Sequence, residues 1–192
     1  KLKEGRIHLE AILKKNPRAW RAHQLLAAVA MDEDEFATAA KHYREAIKLN
    51  PRIEQLYFDL VSALLSDEKA DEAQKVLGLA KRKFKPNFLQ AYFAAMISLE
   101  KRDFNQALDD LRRAETIAKN ADPTRLNHIL YFQMGTTAER AGKFKEAEKY
   151  FRQSIEKKPD YATALNYLGY MWADRGENLD EAIKLIDRAL KE

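Results

Sequence analysis

Apolar side chains recur along this chain at spacings of three, four and seven residues, which places them on one face of a helix. Five segments show the pattern most clearly: "FATAAKHYREAI", "ADEAQKVLGLAK", "FNQALDDLRRAE", "FKEAEKYFRQSI" and "LDEAIKLIDRAL". Each carries an alanine, at Ala39, Ala73, Ala107, Ala147 and Ala182, at intervals of 34, 34, 40 and 35 residues. Four residues after each alanine stands a large apolar side chain: Tyr43, Leu77, Leu111, Phe151 or Ile186. Three further on stands a small one: Ala46, Ala80, Ala114, Ser154 or Ala189. Three residues before the alanine, the turn carries Phe36, Ala70, Phe104, Phe144 or Leu179.

A second set of helical segments precedes these five. It is marked by the large-then-small pairs Leu26-Ala27, Leu60-Val61, Met134-Gly135 and Leu168-Gly169, with Ala94-Ala95 as a weak version. Pro17, Pro51 and Pro159 stand at the same place in their units, and Pro86 one residue late. Proline cannot continue a helix and disfavours helical geometry in the residue before it, so it closes each pair. The pattern predicts units of helix, turn and second helix. The small residue of one helix admits the bulky residue of the other, and no unit buries both its faces alone, so the units stack.

A unit of this kind, repeated in register, resembles the tetratricopeptide repeat family. The resemblance covers nearly the whole chain, as a half-unit at 2–17 and units at 20–53, 54–87, 88–121, 128–161 and 162–192. It implies an all-α fold: a single right-handed superhelical solenoid of antiparallel helix pairs, with about eleven helices. Two units depart from the pattern. The one at 88 lacks the closing proline and has small residues where a large one is expected, and the one at 162 has one extra residue in its turn. That extended turn looks like a variant of bacterial members. The six-residue excess before Ala147 falls in "KNADPTRLNH". Asp122 can cap a helix that begins at Pro123, so the expectation is a longer first helix over about 123–141.

The resemblance also implies where a partner binds. In the family the first helices of successive units line a concave groove. Its second positions are here Arg21, Gln55, Leu89, Ile129 and Thr163; its fifth are Gln24, Phe58, Tyr92, Phe132 and Asn166; its ninth are Ala28, Ser62, Met96, Thr136 and Tyr170. The floor so defined is aromatic and apolar in the middle and polar at both ends. The implied function is a non-catalytic scaffold that takes an apolar or aromatic-compatible peptide or helix of another protein. The alternative for the rings is packing on neighbouring first helices. One subfamily grips the C-terminal carboxylate of chaperones with lysine, asparagine and arginine at these positions. Gln24 and Ala28, Phe58 and Ser62, Tyr92 and Met96 do not fit that pattern, so chaperone-tail binding is not expected.

Composition narrows the alternatives. Six glycines and five prolines in 192 residues leave few hairpin signals, and helix is the default. The net charge of +4 is mild, and the groove positions are largely apolar, which disfavours a helical-repeat RNA binder. With no cysteine there is no disulfide and no thiolate metal site. No apolar run reaches the length of a membrane span. These features suit a soluble chain but leave the compartment open, cytoplasm or periplasm. A ligand-sensing domain attached to an enzyme is the remaining alternative.

No catalytic, cofactor or metal residue is expected. His8, His23, His42 and His128 fall at different repeat positions and form no zinc-binding helical pair. The acidic "MDEDEF" lacks the central glycine of a calcium loop and reads as a solvated turn before a helix. The basic "LAKRKFKP" suits a helix C-terminus. "LGYMWADRGENLDEA", with its acidic groups and glycines, parses as a packing joint: Leu168-Gly169, the aromatic Trp172, a turn at 175–178, and the recurring Ala182. The helix it launches, 179–191, is apolar at Ile183, Leu185, Ile186, Ala189 and Leu190. Repeat arrays end in a polar capping helix. The expectation is therefore that the chain continues or that this face meets another copy.

Overall fold

A computed structural model describes residues 2–191. Among them there are eleven α-helices and no strand. After α1 (Leu2–Lys15) come the pairs α2 (Trp20–Asp32) with α3 (Phe36–Leu49) and α4 (Glu54–Ser66) with α5 (Ala70–Lys83), then α6 (Phe88–Glu100) and α7 (Phe104–Ala121), and the pairs α8 (His128–Arg140) with α9 (Phe144–Lys157) and α10 (Ala162–Asp174) with α11 (Leu179–Ala189). The chain divides into two compact units, Lys1–Arg102 and Asp103–Glu192.

The recurring alanines face into the packing. All five are buried. The glycine of the large-small pair does the same from the facing helix. A Cβ on Gly135 would lie 2.6 Å from the ring of Phe151, and one on Gly169 would lie 2.7 Å from Ile186 Cγ1. Real Cβ atoms do not come so close, so α8 and α9, and α10 and α11, pack at a separation that only glycine permits.

The mid-pair turns share one backbone device. Asp34, Glu68, Arg102, Gly142 and Gly176 all have positive φ, between 56° and 73°. This left-handed residue lets the chain fold back and lets the next amide reach a carbonyl of the last helical turn: Glu35 N to Ala30 O at 2.7 Å, Lys69 N to Leu64 O at 2.8 Å, Lys143 N to Ala138 O at 2.8 Å, and Glu177 N to Trp172 O at 2.9 Å. The last turn adds a second left-handed residue, Asn178, at φ 44°. That accommodates its extra residue, and α11 starts one position later.

In unit 1 the core is built from α2 to α6 around Leu56, Phe58, Leu60, Val61, Leu64 and Leu77. The acidic turn "MDEDEF" docks α1. Arg6 on α1 forks onto Glu35, Nη2 to Oε2 at 2.8 Å and Nη1 to Oε1 at 3.1 Å, and also pairs with Glu33. In unit 2 the most deeply buried large side chains include Leu108, Leu111, Met134, Phe151, Leu165, Leu168 and Trp172. On α11 Ala182 is buried, while Leu179 and Ile183 are exposed, as is Leu190 just past its end.

The segment "KNADPTRLNH" differs from expectation. The excess lengthens the second helix of its unit, α7, to 18 residues, and α8 begins only at His128. Nothing in "KNA" breaks the helix, so α7 runs on until Asp122 is forced out of helical geometry by the following proline. Pro123–Arg125 forms one 3-10 turn. Asn127 then caps α8, its Oδ1 accepting from Leu130 N at 3.0 Å. Pro123 is a stop signal, and the start signal is Asn127.

Candidate functional site

In unit 1 the first helices α2, α4 and α6 carry the predicted positions to different depths. Arg21 and Gln55 are exposed, Gln24, Ser62, Leu89, Tyr92 and Met96 are half-buried, and Phe58 is buried at 2% exposure. The ring of Phe58 stacks on Phe93 of α6, with centroids 5.7 Å apart and planes 13° apart. The neighbouring first helix covers the ring, so it does not stand open in the groove where the family resemblance put it. Tyr92 stacks on Phe88 at 5.7 Å and meets Phe93 edge-on at 5.9 Å. The polar part of this face centres on Asp59. Gln55 Nε2 donates to its Oδ1 at 2.8 Å and Gln24 also hydrogen-bonds to it. Burial still holds the Asp59 carboxyl above its ordinary range, outweighing both hydrogen bonds.

Unit 1 also holds a histidine pair. His23 Nδ1 of α2 and His42 Nδ1 of α3 lie 3.0 Å apart, so one ring donates and the other accepts. Burial, then the charges of His23, Lys41 and Arg6, push the His42 pKa down, with Glu10 opposing. The folded chain thus resists a proton that the unfolded chain takes up near pH ~6.5. Stability is full above that pH and declines as pH falls through it toward the lower folded pKa. Urea midpoints of unit 1 are expected to be lower at pH 5.5 than at 7.5, and His42→Gln is expected to flatten that difference. An unchanged pH dependence in the variant would exclude the pair as its cause.

In unit 2 the apolar part of the first-helix face is more open. Ile129 on α8 is 55% exposed, and Tyr167 and Tyr170 on α10 are 42% and 58% exposed. Thr136 and Asn166 are half-buried, and Thr163 is exposed. Phe132 is half-buried in an aromatic cluster, edge-on to Tyr167 at 5.1 Å and to Tyr161 at 5.6 Å. His128 packs edge-on against Tyr161 at 4.8 Å. A cleft of about 390 Å³ opens beside Tyr170. Its lining brings the predicted Asn166 and Tyr170 together with Glu139, Phe144, Tyr167, Met171, Asp174 and Arg175. Sequence reasoning did not find Tyr167, Glu139 or Asp174 as site residues. Tyr167 follows a family groove position by one residue, and on a helix that step is about 100° of rotation.

Among the described residues no group of three or more His, Cys, Asp or Glu side chains could hold a metal ion. Nor, among them, is any helix long and apolar enough to cross a membrane.

The profile of the Tetratricopeptide repeat family matches residues 3–54, 25–86 and 132–192, well over half of the chain. The chain belongs to the tetratricopeptide repeat family. Comparison with curated proteins gave no match. Solved structures agree on the fold. A crystal structure of MamA superposes with a TM-score of 0.72 at 18% identity, covering 86% of this chain and 93% of that one. MamA from Desulfovibrio magneticus RS-1 gives 0.75 at 12% identity, covering 90% and 93%. YrrB, described as a TPR protein with an unusual peptide-binding site, gives 0.67 at 21% identity, covering 95% and 91%. At these identities the likeness is one of fold. The tetratricopeptide repeat fold supports, in general terms, a scaffold for protein–protein interaction, and its members are typically non-catalytic.

Proposed function

We propose that this tetratricopeptide repeat chain binds an apolar, aromatic-compatible peptide or helix of another protein on its first-helix face. The observation that carries the reading is the exposure of Ile129, Tyr167 and Tyr170 on α8 and α10, in a unit whose other first-helix side chains Leu165, Leu168, Met171 and Trp172 are buried. Large apolar surface left in water is costly, at about 25 cal/mol per Å². Tyrosine in particular supplies contact area with few side-chain torsions to immobilise. A neighbour described as having an unusual peptide-binding site supports a peptide as the ligand class. Unit 1 by itself offers a surface of the same kind in Tyr92, Met96 and Leu89, with Arg21, Gln24, Gln55 and Ser62 as its polar part.

The test is selection of displayed random 12-residue peptides on the full chain, followed by titration of the synthetic peptides. Affinity is expected to fall at least tenfold, about 1.4 kcal/mol, for Tyr170→Ala and for Ile129→Ala. Both side chains are exposed, so the variants keep their helix content. Selected peptides that bind both variants within about threefold of wild type would place the binding surface elsewhere.

A further inference from the structure

The cleft beside Tyr170 has a chemistry that the aromatic surface around it does not. Two of its lining groups are carboxylates, Glu139 at the end of α8 and Asp174 at the end of α10. Each has a cation near it: the charge of Arg140 acts on Glu139, and the charge of Asp174 acts on Arg175. Arg175 itself lines the cleft, but both cations are shared with other groups. The Arg175 guanidinium lies 4.1 Å from the centroid of the Phe144 ring and Nη2 donates to Glu177 at 2.8 Å. The Arg140 guanidinium lies over the Phe104 ring at 5.9 Å. Burial, with the repulsion of Asp174, holds the Glu139 carboxyl above its ordinary range, although Arg140 opposes this. Two carboxylates, the half-buried Glu139 and Asp174, thus line one opening with a single lining cation, Arg175, so two negative charges against one positive leave the lining acidic in a chain whose overall balance is +4. The other walls are the rings of Phe144, Tyr167 and Tyr170, the thioether of Met171 and the amide of Asn166.

We propose that this cleft takes an arginine side chain of the bound partner segment, a proposal that rests on the peptide-binding reading above. A guanidinium fits each part. Its charge complements Glu139 and Asp174, its planar fork can donate to a carboxylate through two N–H groups, and its face stacks on tyrosine. The size fits as well. About 390 Å³ lies at the small end of the roughly 300–1,000 Å³ of ligand clefts, room for one long side chain but not for a helix. Ile129 and the tyrosines then hold apolar residues of the same segment, and the arginine fixes its register, since an unpaired arginine could not be placed elsewhere on that surface without losing its partners.

The experiment uses the peptides selected on the full chain by display. They are expected to share an arginine at a constant spacing from an apolar residue. Replacing that arginine by citrulline, which keeps the shape and removes the charge, is expected to cost at least tenfold in affinity for the wild-type chain. On the Glu139→Gln/Asp174→Asn double variant the same replacement is expected to cost less than threefold. Because citrulline changes only the peptide, the first comparison stands even if the variant chain were altered. Peptides that need Tyr170 and Ile129 but share no arginine, or a citrulline cost that is equal on both chains, would overturn the arginine proposal and leave the scaffold reading standing. Peptides indifferent to Tyr170→Ala and Ile129→Ala would instead overturn the scaffold reading, and this proposal with it.

Discussion

Phe58→Ala is expected to destabilise unit 1 by about 3–5 kcal/mol, the usual range for truncating a buried phenylalanine. The ring is 2% exposed and stacked on Phe93, so the change removes apolar burial, opens a cavity between α4 and α6, and deletes an aromatic pair worth about 0.5–1.5 kcal/mol. Phe58→Leu refills most of the space and is expected to cost about 1.5 kcal/mol or less. Trp20 on α2 lies in this unit and Trp172 in the other, so Trp20 fluorescence in a Trp172→Phe background follows unit 1 by itself. A urea midpoint unchanged by Phe58→Ala would return the ring to the surface and to the list of contact residues. The contrast with Tyr170→Ala is the useful one: the first variant loses stability, the second loses binding.

Trp172→Ala is expected to destabilise unit 2 by a similar amount, about 3–5 kcal/mol. Trp172 is 1% exposed and among the largest fully buried side chains. It also closes a polar triangle between α10 and α9. Its Nε1 donates to Glu148 Oε2 at 3.2 Å, Arg152 Nε donates to Glu148 Oε1 at 3.0 Å, and the Arg152 guanidinium lies 4.9 Å from the tryptophan centroid. Glu148→Gln keeps an acceptor for the indole, and its side chain is 30% exposed, so water can compensate; it is expected to cost about 1 kcal/mol or less. Circular dichroism during urea denaturation separates the two. Equal losses for the two variants would assign the stability to the polar triangle and not to the buried ring.

The repeating architecture was legible because its signals are local. The recurring alanines, the large-small pairs and the prolines each act within one helix pair, and all five alanines are buried where their spacing put them. The acidic turn was legible as a turn, but its role in docking α1 through Arg6 was not. That ion pair joins residues 27 and 29 positions apart, and no periodic pattern encodes it. Exposure at the groove positions was legible only in part. Ile129 at a second position and Tyr170 at a ninth stand exposed on first helices, whereas Phe58 at a fifth position is buried. A first helix is flanked by its own partner and by the first helices of adjacent units. Whether a ring at the fifth position meets water or a neighbour depends on the residue one unit away, here Phe93.

The sequence by itself determined that this chain is an array of helix pairs, since a helical period, a small residue at each close approach and a helix-stopping proline are properties of single segments. The tertiary structure alone decided that Pro123 ends α7 and does not begin α8, that Phe58 is core, and that Glu139, Asp174, Tyr167 and Tyr170 line one cleft. Those outcomes turn on contacts between side chains of different helices. Their energies depend on distance in space, and residues 139 and 174 come together only once α8 and α10 lie side by side.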